Sequence, residues 1–277
     1  MIIRKKILKE VYKKRKPSAH KYDFGHLLII GGSKMYSGSP ALAGLAAYRT
    51  GVDIVTIAAP ERSANIIAGF SPDLITYPLK GDYVNQKHLK DILRLAKNKD
   101  AIVIGGGIER HKQTSSAIVS FLRKIRLPCV IDADAIHSVA KQKNVLKKYF
   151  VLTPHEKEFY DLTGKNPRGK KLNERIILVK KAAAKLKAII LLKGNIDIIS
   201  DGKEVILNKT GNPYMTKGGT GDTLAGIVGS LLAQGVKPII AAAAAAYING
   251  KAGEIASKNK KQALMATDLI NSIHKLF

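Results

Sequence analysis

The chain has 277 residues, 45% of them hydrophobic, which is enough for one large domain with a sizeable core and too apolar for a disordered chain. Its single cysteine, Cys129 in "LPCVIDAD", excludes a disulfide within the chain and reads as a small buried hydrophobe in a reducing compartment. The net charge of +26 attracts polyanions, but the lysines are scattered over helix faces and there is no tryptophan and no arginine-rich arm. Lysine-coated surface is therefore preferred to a specific nucleic-acid site, and a nucleotide substrate gains from the same field.

Residues 1–20 read as a basic N-terminal extension without the apolar stretch of a signal peptide. The apolar windows between Asp222 and Lys251 are broken by Lys237, and each half falls short of the ~18 residues a membrane helix needs. The expectation is a soluble, cytoplasmic protein. From residue 21 onward short runs rich in Ile and Val recur, most of them ending in glycine or aspartate: "HLLIIGG", "DIVTIAAP", "AIVIGGG", "CVIDADA", "FVLTP", "AIILLKG", "DIISDG" and "EVILN". Their length and composition predict strands, and several are apolar throughout, as strands covered on both faces are. Helix patterns alternate with them at Pro40–Thr50, Gln86–Lys97, Lys112–Lys124, Glu156–Leu162 and Asn173–Leu186. Helices are also expected at Gly219–Gln234, Pro238–Ser257 and Thr267–Leu276. The alternation predicts a mostly parallel sheet with helices on both faces, a three-layer α/β/α sandwich. "DIISDGKEVILN" reads as a terminal β-hairpin across "SDGK". No linker composition and no repeat divides residues 21–277, so one domain is expected.

In an open α/β sheet, ligands sit beyond the carboxyl ends of the strands. Five loops bearing glycine, histidine, lysine or carboxylates converge there: "GGSKMYSGSP", "GGGIER" (taken to follow the third strand), "DADAIH", "TPHEKE" and "KGNID". A sixth feature opens a helix: in "KGGTGDTLAGIVGSLLAQG" the apolar residues Leu224, Ile227, Val228, Leu231 and Leu232 recur at helical spacing behind Asp222. The first N–H groups of that helix lack internal partners and present the positive end of its dipole, so Gly218, Gly219, Thr220 and Gly221 form a candidate anion hole. Asp222 beside it either takes a proton from a hydroxyl attacking phosphorus or caps the helix. No G-x-x-x-x-G-K-[ST] pattern occurs, and a Rossmann fingerprint does not fit, because no strand leads directly into the loop.

These segments resemble the ADP- or ATP-dependent NAD(P)H-hydrate dehydratases, a ribokinase-like family, over nearly the whole chain from about Lys21. "GGTGDTLAG" with the following "AQG" is similar to the anion-hole motif of ribokinase-like kinases of the vitamin type. "KYDFGHLLIIGGSKMYSGSPALAGLAAYRTGVDIVTIAAP", "VIGGGI", "VIDADAI", "VLTPHEKEF" and "LLKGNIDIISDG" resemble the dehydratase segments in the same order. The resemblance implies a ribokinase-like fold. It also implies repair of hydrated NADH or NADPH: a nucleotide phosphorylates the hydrate hydroxyl, and loss of phosphate restores the reduced dinucleotide. A kinase of a thiazole or hydroxymethylpyrimidine alcohol on the same fold is the alternative.

The resemblance places Gly38, Ser39, Gly107, His155 and Asp222 at the hydrate, and Lys193, Gly194, Asn195, Ile196, Asp197 and Gly221 at the nucleotide, with Asp222 as catalytic base. Three positions depart from the family pattern: Ser39 stands for alanine, Glu109 for glycine and Asp197 for threonine. Other readings stay open at several residues. His155 also suits the start of a helix, and Lys193 an ordinary solvated lysine. Asp132 and Asp134 suit either Mg²⁺, held directly or through water, or the capping of a strand end. Mg²⁺ is expected mainly with the ADP or ATP. No epimerase domain is expected here, so a separate NAD(P)H-hydrate epimerase is the implied functional partner. A homo-oligomer is expected, with the alanine-rich helix containing Ala241–Ala246 serving either as core or as subunit interface.

Overall fold

The computed structural model describes residues 1–277. Nine strands form one sheet: β1 (His26–Ile30), β2 (Ile54–Pro60), β3 (Ile75–Leu79), β4 (Ala101–Ile104), β5 (Cys129–Ile131), β6 (Phe150–Leu152), β7 (Ile189–Leu192), β8 (Asp197–Ser200) and β9 (Val205–Asn208). Their order is β3-β2-β1-β4-β5-β6-β7-β8-β9. Pairings from β3 through β7 are parallel, and β7–β8 and β8–β9 are antiparallel. The helices are α1 (Ile7–Val11), α2 (Gly38–Arg49), α3 (Glu61–Ala68), α4 (Leu89–Ala96), α5 (Lys112–Lys124), α6 (Asp134–Ala140), α7 (Glu156–Thr163), α8 (Leu172–Leu186), α9 (Thr220–Ala233), α10 (Pro238–Lys260) and α11 (Ala266–Ser272).

The strand pattern dictates the layers. Successive strand residues face opposite ways. In β1, Leu27 and Ile29 join a core shared with α2, α9, α10 and α11, whereas Leu28 and Ile30 join one shared with α4, α5 and α6. Toward the far edge, Ile190, Leu192 and Ile198 pack with Phe159 of α7 and with Val179 and Ala183 of α8. Apolar runs such as "HLLII" therefore reflect burial on both faces. The alanine run of α10 is core of this chain, with Ala241–Ala246 all buried. Cys129 is buried, as its context suggested.

The structure corrects several expectations. Strand β3 was not foreseen because "ITYPL" carries Pro78 and is an edge strand, largely exposed, without a continuous apolar signal. The loop "GGGIER" accordingly follows the fourth strand and not the third. Helices α1, α3 and α6 were also missed; each is eight residues or shorter, too brief for a clear period. The last predicted helix is shorter than Thr267–Leu276, since α11 ends at Ser272 and a 3₁₀ turn follows. The basic N-terminus lies on the domain: Ile3 N–H donates to the Leu207 carbonyl, Leu207 N–H donates to that of Met1, and Ile3, Ile7, Leu8 and Val11 are buried.

Strand order turns at β1, which lies between β2 and β4 and feeds a crossover toward β2. This switch point is where an open α/β sheet parts its loops and leaves a crevice. Helices α2 and α9 pack tightly over it: a Cβ on Gly226 would overlap the Ala43 carbonyl, so glycine is what lets the two backbones approach.

Candidate active site

Above the switch point, α2 brings Ser39, the loop after β4 brings Gly106 and Gly107, and the first turn of α9 brings Asp222. They meet closely. A Cβ on Gly106 would stand 2.8 Å from Asp222 Oδ1 and 3.1 Å from the Ser39 Cβ. Gly107 has φ +70°, and a Cβ there would lie 2.8 Å from that of Tyr36. Gly38 opens α2 at the same edge and is exposed.

Asp222 is not the helix cap. Gly219 holds that position with φ +93°, and no side chain caps α9, whereas Asp222 is the third residue of the helix. Burial and then the Asp132 charge push its pKa up to about 6, against the downward pull of Ser39 and Lys193. The N–H groups of Gly218, Gly219, Gly221 and Asp222 find no acceptor in the protein, as an anion hole requires. Thr220 differs: its hydroxyl donates to the carbonyls of Met215 and Lys217, fixing the approach to the helix.

Beside this group lies a cavity of about 830 Å³. Its wall includes His155, Lys193, Gly194, Asn195, Asp197, Gly218, Thr220 and Gly221 from the expected set. Asn212 and Asn249 line it as well and were not singled out by sequence. Ile196 and Gly219 are not among the residues that line it. His155, expected with Gly38, Ser39 and Gly107, thus faces the cavity that holds the expected nucleotide residues.

Lys193 is not a solvated lysine. Its Nζ is 3.1 Å from Asp132 Oδ1 and 4.0 Å from Glu158 Oε2. Burial pulls its pKa down, but Asp132, Glu158 and Asp222 outweigh that and raise it, so the amine stays charged. Burial in turn raises the pKa of Glu158, against the pull of Lys193. A Cβ on Gly221 would be 3.5 Å from Lys193 Nζ, so this ammonium reaches the entry of α9 and joins the two halves of the site.

His155 both caps and faces the cavity. Its Nδ1 accepts from the N–H groups of Lys157 and Glu158 at 3.1 and 3.2 Å, which leaves the neutral ring's proton on Nε2. That nitrogen is 3.4 Å from Glu158 Oε1, and the same carboxylate accepts the His155 N–H at 2.8 Å. Glu158 was the missed partner; its spacing three residues after a cap was the available signal. In the Lys193–Asp197 loop, Asp197 accepts from the Gly194 N–H and from Asn208 Nδ2, each at 3.0 Å. Burial pushes Asp197 up to about 6, opposed by those bonds and by Lys193.

Asp132 and Asp134 do not share a metal site. Asp132 takes the Thr153 hydroxyl at 2.6 Å and the Lys193 ammonium, while Asp134 opens α6 and pairs with Arg110 Nε at 2.7 Å. An ammonium stands where a hard cation would need the oxygens of Asp132 and Glu158, so the residues present do not fit a resident Mg²⁺.

A sheet wound in this order, with a glycine–aspartate helix entry at its switch point, is of the ribokinase-like class, and a solved structure of that superfamily superposes on nearly the whole chain. The chain belongs to the NAD(P)H-hydrate dehydratase family, whose sequence profile matches residues 27–275. It is 36% identical over 275 residues to the ADP-dependent (S)-NAD(P)H-hydrate dehydratase of Nitrosopumilus maritimus, covering 96% of this chain and 93% of that one. It is 40% identical over 264 residues to the bifunctional NAD(P)H-hydrate repair enzyme Nnr of Pyrobaculum aerophilum, covering 95% of this chain and 52% of that protein. The chain thus spans about half the length of the first curated relatives it matches. The ADP/ATP-dependent NAD(P)H-hydrate dehydratase of Bacillus subtilis, co-crystallised with ATP/Mg²⁺, superposes with a TM-score of 0.83 at 27% identity, covering 99% and 96% of the two chains. No helix is long and apolar enough to cross a membrane.

Proposed function

We propose that this chain dehydrates NAD(P)H hydrate with ADP or ATP as phosphoryl donor, and that the residues gathered around Asp222 and Lys193 perform the transfer. The observation that carries the reading is Asp222, a buried carboxylate among unpartnered N–H groups and one ammonium from the cavity wall. The nucleotide lies in the cavity with its terminal phosphate at the N–H groups of Gly221 and Asp222 and near Lys193. The hydrated ring lies over Gly38, Ser39 and Gly107. Asp222 takes the proton of the hydrate hydroxyl as that oxygen attacks phosphorus; the bond to the departing nucleotide breaks, and the helix entry and Lys193 stabilise the charge on the transferring group. The phosphate ester then leaves from the ring carbon, driven by the ring nitrogen's electron pair, and the nicotinamide double bond re-forms with loss of a proton.

Mg²⁺ enters with the nucleotide phosphates and neutralises part of their charge. His155 orients the cavity end of the substrate through Nε2. The cytoplasm is the setting we expect for this repair. The test incubates the protein with NADH hydrate and, in separate arms, ADP or ATP, following the absorbance of regenerated NADH. Recovery in either arm supports the reading. No recovery, alongside phosphorylation of a thiazole or hydroxymethylpyrimidine alcohol, overturns it in favour of a vitamin-precursor kinase.

A further inference from the structure

Arg175, in the first turn of α8, has no part in the site described so far. Its Nη1 lies 3.2 Å from Glu156 Oε1, but Nε and Nη2 are buried without any hydrogen-bond partner. Buried donors of a charged group left unpaired are costly, so such groups call for a partner. The guanidinium lies under the Lys193–Asp197 loop. A Cβ on Gly194 would stand 2.9 Å from Nη2 and 3.8 Å from Cζ, so the guanidinium lies directly against this loop. Gly194 and Asn195 face the cavity on the other side of the same loop, and Arg175 does not line that cavity.

A trans peptide unit points its N–H and its carbonyl in opposite directions. A phosphate that draws the N–H side of this loop toward the cavity therefore turns carbonyl oxygens toward the guanidinium beneath. We infer that Arg175 is the positioning residue of the nucleotide loop: its free Nε–H and Nη2–H bind carbonyl oxygens of the Lys193–Asp197 segment when nucleotide is bound. The inference rests on the reading that the nucleotide occupies this cavity.

The test measures ADP affinity by calorimetry, and kcat and KM for both substrates, on the full chain. Arg175→Met keeps the volume and removes the fork. Its ADP affinity is expected to fall about tenfold or more, with the hydrate KM within about twofold and kcat at saturating ADP nearly unchanged. Arg175→Lys keeps the charge beside Glu156 but cannot span two carbonyls, so it stays several-fold weaker than the original chain. Glu156→Gln breaks the ion pair alone and keeps ADP affinity. Lys193→Ala controls for the underlying reading. If Lys193→Ala loses ADP affinity while Arg175→Met or Arg175→Lys binds ADP normally, the inference is overturned. It is equally overturned if Glu156→Gln reproduces the loss, because the ion pair then explains it. If neither Lys193→Ala nor the Arg175 variants weaken ADP, the nucleotide assignment of the cavity fails, and the inference fails with it.

Discussion

Replacing Asp222 by asparagine separates chemistry from stability at one atom. The side chain keeps its shape and its neighbours Ser39 and Gly106, but it loses the charge. In the folded protein, burial first and the Asp132 charge second raise this carboxyl from its ordinary value of 3.8 to about 6. That difference corresponds to about 3 kcal/mol favouring the protonated form. A raised acid contributes its full stability below about 3.8 and loses it as pH rises through about 6. Asp222→Asn should therefore match the original chain near pH 4 and gain stability between pH 4 and 6. Above that the gain levels off at up to about 3 kcal/mol, a rise of several °C in melting temperature. Turnover should move the other way and fall by at least the ~10²-fold typical of a lost general base. In the original chain, kcat/KM should rise as pH passes about 6, and the variant should lack that limb. Melting curves at several pH values and NADH recovery assays read both effects. Near-normal turnover in the variant would refute the base. A loss of stability at pH 8 would refute the electrostatic account.

Lys193→Ala should raise the nucleotide KM far more than the hydrate KM; equal effects, or none, would remove Lys193 from the nucleotide site. The same change leaves Asp132 and Glu158 buried without their cation, so a stability loss of about 3–5 kcal/mol is expected in denaturant titrations at neutral pH. Gly106→Ala pushes a methyl to 2.8 Å from Asp222 Oδ1, so kcat should drop at least about tenfold with nucleotide KM little changed, which steady-state kinetics will show. Gly226→Ala drives α2 and α9 apart at the Ala43 carbonyl and should cost about 1–3 kcal/mol, or more, in melting or denaturant curves. Activity should fall with it, because those two helices carry Ser39 and Asp222.

The parallel core of the sheet was legible because its inner strands are apolar on both faces and several end in glycine or aspartate. Edge strand β3 was not, since half exposure and Pro78 erase the same signal. The antiparallel hairpin β8–β9 was announced by "SDGK", whereas the antiparallel turn from β7 into β8 hid behind what read as a ligand loop. At the site, residue types and loop positions pointed to one edge but not to pairings. That Lys193 is clamped between two acids, and that Asp134 turns away to Arg110, depends on contacts between residues distant in sequence. The choice between cap and base at Asp222 was likewise beyond a linear reading: it turns on Gly219 adopting φ +93° three residues earlier. Arg175 gave no signal at all, because an arginine in the first turn of a helix is ordinary until its surroundings are known.

The join between Ile3 and β9 bears on how such a chain is made. The outer strand of the sheet receives its last neighbour from the opposite end of the sequence, through the bonds linking Met1, Ile3 and Leu207. During synthesis the first residues leave the ribosome long before β9 exists, so their partner is missing for most of translation. The parallel strands β1 to β6 can associate in the order they emerge, but that margin stays unsealed until β9 has appeared, about three-quarters of the way through the 277 residues. Contacts so distant in sequence close late and slowly. Until then β9 and its neighbours present unpaired backbone that another nascent chain could take up. The interval between the emergence of β9 and the docking of the N-terminus is thus the stage at which this protein is most exposed to misassembly.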